Sequence, residues 1–180
     1  MDYQQLFLGL FPGFFERESI RNQPAHWVST ELVMDLHDAP ELDKNVPCPE
    51  NITFGVYHGD IDVLRAAVRE VDEGWVKFFN EGNRIFCAFD GDKVVAFCGL
   101  DEMGISYGKR IGGPGCVGTV PAYRKMGIGL EMVRRSAYLL REEGFDYAWI
   151  HFTCLTNWYS KIGFKPVFRW NSKGFLPLED

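Results

Sequence analysis

The sequence predicts an α/β (α+β) domain, a mixed central sheet of six to seven strands flanked by helices. Three observations carry that prediction. Short runs rich in β-branched and aromatic residues alternate with stretches whose apolar residues recur at helical intervals. An extended run, 116–120, passes through Pro121 into a glycine-bearing turn and a long amphipathic helix over 127–143. A second extended run, 147–152, follows that helix at once, and a helical crossover is what joins parallel neighbours.

Taken in order, Tyr3, Leu6, Phe7, Leu10, Phe11 and Phe14 fall at helical spacing, and Pro12-Gly13 breaks or ends that helix. Core packing is its plain role; a substrate lid or a homodimer contact are the alternatives. Between Trp27 and Leu36 the chain alternates, with Val28, Thr30, Leu32, Met34 and Leu36 on one side, as a half-buried strand would. Asp38 to Glu50, with three prolines, reads as a loop. Residues 1–50 are expected to be an N-terminal extension, helix and strand, packed on a core of 51–180.

Ile52 to His58 reads as a strand, and Gly59-Asp60 can cap a helix whose apolar positions are Ile61, Leu64, Val68, Val71, Trp75 and Phe78. Arg84 to Phe89 and Lys93 to Leu100 are strands joined by the turn Asp90-Gly91-Asp92. Gly104 to Gly115 holds five glycines and a proline and is expected to be a mobile connection. The helix from Gly127 to Glu143 buries Leu130, Val133, Ala137 and Leu140, turns Arg134, Arg135, Arg141 and Glu142 outward, and ends at Gly144. After the strand from Tyr147 to Phe152, a short helix containing Tyr159 leads to a final strand, Phe164 to Trp170.

Composition narrows the function classes. A length of 180 residues suits one domain, and 46% hydrophobic with 15% aromatic content can fill a sizeable core. With a net charge of −6 there is no global basic field to attract nucleic acid. Five cysteines, odd in number and without Cys-x-x-Cys spacing, point to reduced thiols rather than disulfides or a metal site. Met1 to Gln5 lacks the basic start of a signal peptide, and the apolar run Leu6 to Phe11 is too short to span a bilayer, so a cytoplasmic protein without membrane attachment is expected.

The chemistry concentrates at Arg124-Lys125-Met126-Gly127-Ile128-Gly129. The first turn of a helix has unpaired N–H groups and partial positive charge, so it holds an anion, and glycines at 127 and 129 are expected to let that anion approach the backbone. A P-loop is excluded by the absence of Gly-Lys-Ser/Thr, and a dinucleotide fingerprint by Met132 three residues after Gly129. The pattern Arg-x-x-Gly-x-Gly, set in the segment from Val117 to Val133, resembles the coenzyme A pyrophosphate signature of the GCN5-related N-acetyltransferase (GNAT) superfamily. Trp158-Tyr159-Ser160-Lys161-Ile162-Gly163-Phe164 is similar to that family's second signature, a turn before the last strand.

The resemblance implies acetyl-CoA as co-substrate, direct transfer to an amine in a ternary complex, and parallel strands that splay apart at the coenzyme A cleft. By it, Val117, Gly118 and Thr119 would hold the pantetheine arm, and Arg124, Lys125, Met126, Gly127, Ile128, Gly129 and Leu130 the pyrophosphate. Tyr159 matches the tyrosine that protonates the departing thiolate; Asn157 is a further coenzyme contact, displaced from the family's usual asparagine. The family's glutamate base has no counterpart between Ile111 and Val120, which leaves Glu102, its neighbour Asp101, or His151. The implied acceptor is a small primary amine: an amino sugar, which the His151-Phe152-Thr153 run suggests, a polyamine or an amino acid, with a protein N-terminus also compatible. A non-catalytic acyl-CoA-binding regulator is the alternative, and a nucleotide-binding module the third.

Overall fold

The computed structural model describes residues 1–178. The chain opens with α1 (Tyr3–Leu10), where Asp2 accepts from the amides of Gln4 and Gln5 at 3.0 and 3.1 Å and caps the first turn. Pro12 and a left-handed Gly13 end it, and a single turn leads to the short α2 (Glu18–Arg21). There follow β1 (Ser29–Asp35), β2 (Ile52–Val56) and α3 (Ile61–Val71), the last capped by Asp60. β3 (Ile85–Asp90), β4 (Lys93–Ser106) and β5 (Lys109–Thr119) form a meander, and α4 (Ile128–Glu142) crosses over to β6 (Tyr147–Thr153). A short α5 (Thr156–Tyr159), β7 (Lys165–Asn171) and β8 (Gly174–Leu176) complete the chain.

All eight strands join one mixed sheet, in the order β2-β3-β4-β5-β6-β1-β7-β8. Every pairing is antiparallel except β5 with β6, the pair that α4 connects. α4 covers one face, burying Val133, Ala137 and Leu140 against Leu32, Met34 and Ile150. Leu6 and Phe7 of α1 pack on the other face against Val33, Trp149 and Trp170, beside Leu64 and Val68 of α3 against Phe97.

Four expectations need correction. β1 lies between β6 and β7 and is buried from Glu31 through Met34 on both faces, so residues 1–50 supply an interior strand rather than an extension packed on a finished core. The sheet has eight strands among the described residues, because β8 adds an edge the sequence did not announce. Residues 104–115 are not a mobile connection: β4 runs to Ser106, turns at left-handed Tyr107-Gly108, and returns as β5. Its glycines serve close packing, since a Cβ on Gly113 would fall on the Trp149 carbonyl oxygen. Finally, Arg134 is buried, not outward: it donates to Glu131 at 2.7 Å and to Asn45 at 2.9 Å, and reaches the Leu42 carbonyl.

Candidate active site

β5 and β6 are paired at Ile111 with Tyr147 and at Gly112 with Ala148, and nowhere further along. Beyond Gly112 each strand stays bonded to its outer neighbour, β5 to β4 and β6 to β1, so a wedge opens between them. Both lips of the wedge are bulged. On β5, three steps from Gly115 to Gly118 face two on β4, with Cys116 at φ +47°; on β6, three steps from Ile150 to Thr153 face two on β1, with Phe152 at φ +60°. A cavity of about 840 Å³ fills the opening, walled by Trp75, Phe78, Trp149 and Phe152 and reached by Asp101, His151 and Tyr159.

At one end of the wedge α4 begins. Gly127 is left-handed at φ +80°, and among the described residues nothing accepts a hydrogen bond from the amides of residues 125–130. The next amide, of Glu131, reaches the Gly127 carbonyl at 3.0 Å. These six donors at the positive end of a four-turn helix form a surface suited to a phosphate. Thr119 and Trp158 both stand at Gly129, so the helix start adjoins the lip of β5 and the turn that carries Tyr159.

The glycines act differently from the expectation of open space for an anion. A Cβ on Gly127 would fall on the Pro47 carbonyl oxygen, and one on Gly129 would lie 2.5 Å from Thr119 Oγ1. Gly118 likewise makes room for the Phe97 ring. The loop at 42–47 is thus drawn against α4, and Val46 N–H donates to Glu131 at 2.8 Å. Burial works against the Glu131 carboxylate, but hydrogen bonds from Arg134, Val46 and Arg135 outweigh it and hold its pKa below the ordinary value. Of the other residues assigned to the coenzyme, Val117 lines the cavity, Arg124 donates to the Thr119 carbonyl at 3.0 Å, and Lys125 and Met126 are exposed. Ile128 and Leu130 are buried in the core clusters and can offer only their amides. Asn157 is exposed on α5, outside the cavity wall and next in sequence to Trp158, which stands at Gly129.

Three of the named catalytic residues separate clearly. Tyr159 is buried and lines the cavity; burial, with a smaller contribution from nearby thiols, pushes its phenol well above the ordinary range, so it keeps its proton. Glu102 is a correction: strand alternation turns it away from the cavity, and its carboxylate accepts from Arg110 Nε at 2.9 Å in solvent. Asp101, one residue earlier, lies on the cavity side, where desolvation by the walls raises its pKa. His151 is on the wall, with Nδ1 at 2.8 Å from Glu31 Oε1. Cys116, also on the wall, is pushed up to about 11 by burial first and then by Asp101 and Asp72, so it stays a thiol at neutral pH.

Sequence reasoning missed Glu31. Its signal was a lone acid opposite the apolar side of the run Thr30-Glu31-Leu32-Val33, which reads as a solvent-facing position until the strand is known to be interior. Trp75 and Phe78, assigned to a helix face, reach the cavity from the turn after α3 instead.

Residues 81–166 match the acetyltransferase (GNAT) domain family. Among solved structures, the chain resembles a GCN5-related glucosamine N-acetyltransferase region of a fungal multi-domain GH3 beta-N-acetylglucosaminidase, with 21% identity over 88% of this chain and 22% of that one, at a TM-score of 0.67. A GCN5-related N-acetyltransferase from Kribbella flavida aligns with 17% identity over 78% of this chain and 55% of that one, TM-score 0.56. One from Sphaerobacter thermophilus aligns with 18% identity over 84% and 53%, TM-score 0.54. The chain therefore spans about a fifth of the first of these proteins and about half of the other two. A comparison with curated proteins found no match. The fold is that of the GCN5-related N-acetyltransferases, and the segment 81–166 is similar to the acetyltransferase (GNAT) domain family. No helix among the described residues is long and apolar enough to cross a membrane.

Proposed function

We propose that the protein moves the acetyl group of acetyl-CoA to the primary amine of a small molecule, by direct transfer while both are bound. The observation that carries this reading is the wedge between β5 and β6, with six unpartnered amides at one end and a carboxylate, an imidazole and a protonated phenol around the cavity. The pyrophosphate would lie on the amides of residues 125–130, and the pantetheine arm would bond to the edge of β5 that β6 leaves open past Gly112. Holding amine and thioester together removes much of the entropic barrier. Asp101 would draw the substrate's ammonium into the cavity, and the Tyr159 phenol would protonate the departing thiolate.

For the acceptor, an amino sugar fits best. Trp75, Phe78 and Phe152 offer flat faces for a sugar ring, and Asp101 offers a counter-charge for its amine. The structural neighbour described as a glucosamine N-acetyltransferase region points the same way. Thiol release from acetyl-CoA with glucosamine, spermidine and free amino acids tests the reading. Release with glucosamine above the others supports it; coenzyme binding without release on any amine would replace it with a non-catalytic acyl-CoA-binding role.

A further inference from the structure

We propose that Glu31 and His151 form a dyad in which the imidazole takes the proton of the acceptor amine and the buried carboxylate is the positioning residue that orients it; this rests on the transferase reading above. Glu31 sits at the centre of the sheet with no exposure. Its oxygens accept from Trp149 Nε1 at 2.7 Å, Trp170 Nε1 at 2.7 Å and the Phe152 amide at 3.3 Å, and lie 2.8 and 2.9 Å from His151 Nδ1. An ionised carboxylate only accepts, so the imidazole must present Nδ1–H to it. The neutral ring is then left with a bare lone pair on Nε2, and among the described residues nothing donates to that atom.

The ring cannot turn away. It stacks on Phe11 at 5.0 Å and 14°, with Phe14 edge-on at 5.8 Å and Phe152 at 4.4 Å. Its side chain keeps a quarter of its surface open, on the cavity. The left-handed Phe152 aims its own amide at Glu31, a strained conformation held at the lip of the cavity. Two indole N–H groups alone would need no charge; a full carboxylate adds what a protonated imidazole requires. Asp101, which does line the cavity, has among the described residues no hydrogen bond that would orient it. The other titratable or charged groups around the ring are Tyr159, Cys116 and Cys154 on the cavity wall and Arg17 over the Phe11 and Phe14 rings.

The ammonium gives one proton to His151 Nε2, which passes it to water. The freed nitrogen lone pair forms the N–C bond to the thioester carbonyl, the C–S pair leaves on sulfur, and sulfur takes the Tyr159 proton. The nitrogen then loses its second proton, which restores the phenol. The products are the amide, the free thiol and one proton.

Nitrogen-15 NMR of histidine-labelled wild-type protein, assigned with His151→Gln, should show the neutral ring protonated on Nδ1; protonation on Nε2 would overturn the dyad without any question of a variant's folding. Kinetically, His151→Gly should lose about 10²-fold in kcat with coenzyme affinity by calorimetry unchanged. Free imidazole should restore part of that loss in His151→Gly and none of it in the double variant with Glu31→Gln. Undiminished kcat in His151→Gly, or equal rescue with and without Glu31, sinks the dyad alone. A wild-type protein that neither binds coenzyme A nor releases thiol sinks the transferase reading, and the base role with it.

Discussion

At the scale of single residues, positions next to each other in sequence do opposite things, and strand geometry decides which. Asp101 and Glu102 are neighbouring acids within β4, yet only Asp101 faces the cavity, while Glu102 pairs with Arg110 in solvent. Asp101→Asn should therefore raise the KM for an amine about tenfold with kcat little changed, and Glu102→Gln should alter neither; equal effects in steady-state kinetics would remove the assignment. Tyr159→Phe takes away a proton donor without emptying its packing site. It should lower kcat by about 10²-fold while calorimetric affinity for coenzyme A stays the same. The two glycines at the start of α4 also part company. Gly127 combines a left-handed φ with a backbone oxygen, that of Pro47, where a methyl would go, whereas at Gly129 a methyl would clash with the Thr119 hydroxyl, which can rotate, and would touch Trp158 at ordinary contact distance. Gly127→Ala should cost about 2 kcal/mol or more and Gly129→Ala distinctly less, as urea unfolding would report.

At the scale of elements, the wedge depends on how little holds β5 to β6. Only two residue pairs join them, and Asp146, just before β6, reinforces that short seam: it accepts from Lys109 Nζ at 2.9 Å, the Arg110 amide at 2.9 Å and His37 Nε2 at 3.1 Å. The Lys109 hydrogen bond first, then the Arg110 amide, hold its carboxyl at about 2, below the ordinary value of 3.8. A depressed folded-state pKa means the unfolded chain takes the proton more readily, so this stabilisation is full above about pH 4 and fades as pH falls toward 2. Asp146→Asn should lose about 1.5 kcal/mol at pH 7, and the difference from wild type should close in acid. The strand–turn–helix from 116 to 142 and the parallel crossover were legible in the sequence because local patterns set them: a run of extended residues, a proline, two glycines, then helical spacing. The hairpin of 93–119 was not, because its glycines signal both flexibility and close packing. Only the partner atom, here the Trp149 carbonyl beside Gly113, tells the two apart. Glu31 was missed for the same reason: it becomes informative only once two tryptophans from other strands point at it.

At the scale of the whole molecule, the N-terminal fifty residues decide whether there is a domain at all. A division at residue 50 looks natural from the sequence, since both signature-like segments lie beyond it. Sheet order contradicts that division: β1 fills the gap between β6 and β7, so the two later strands meet only through the earlier one. Remove it, and β6 keeps only its two pairs to β5, while β7 and β8 become a detached hairpin. The same segment delivers Leu6, Phe7 and Phe14 to the core, as well as Glu31 to the ring of His151 and Val46 to Glu131. The loss also leaves the Trp149 and Trp170 indoles without their acceptor inside apolar surroundings. A chain of residues 51–180 should consequently lack cooperative unfolding and dispersed amide resonances, and should not bind coenzyme A even though it retains every residue of both signature motifs. Adding back a peptide of residues 1–50 should restore some resonance dispersion if β1 can insert in trans. A well-folded 51–180 fragment that binds the coenzyme would show instead that the first fifty residues are dispensable, and that the interior position of β1 contributes less than its burial indicates.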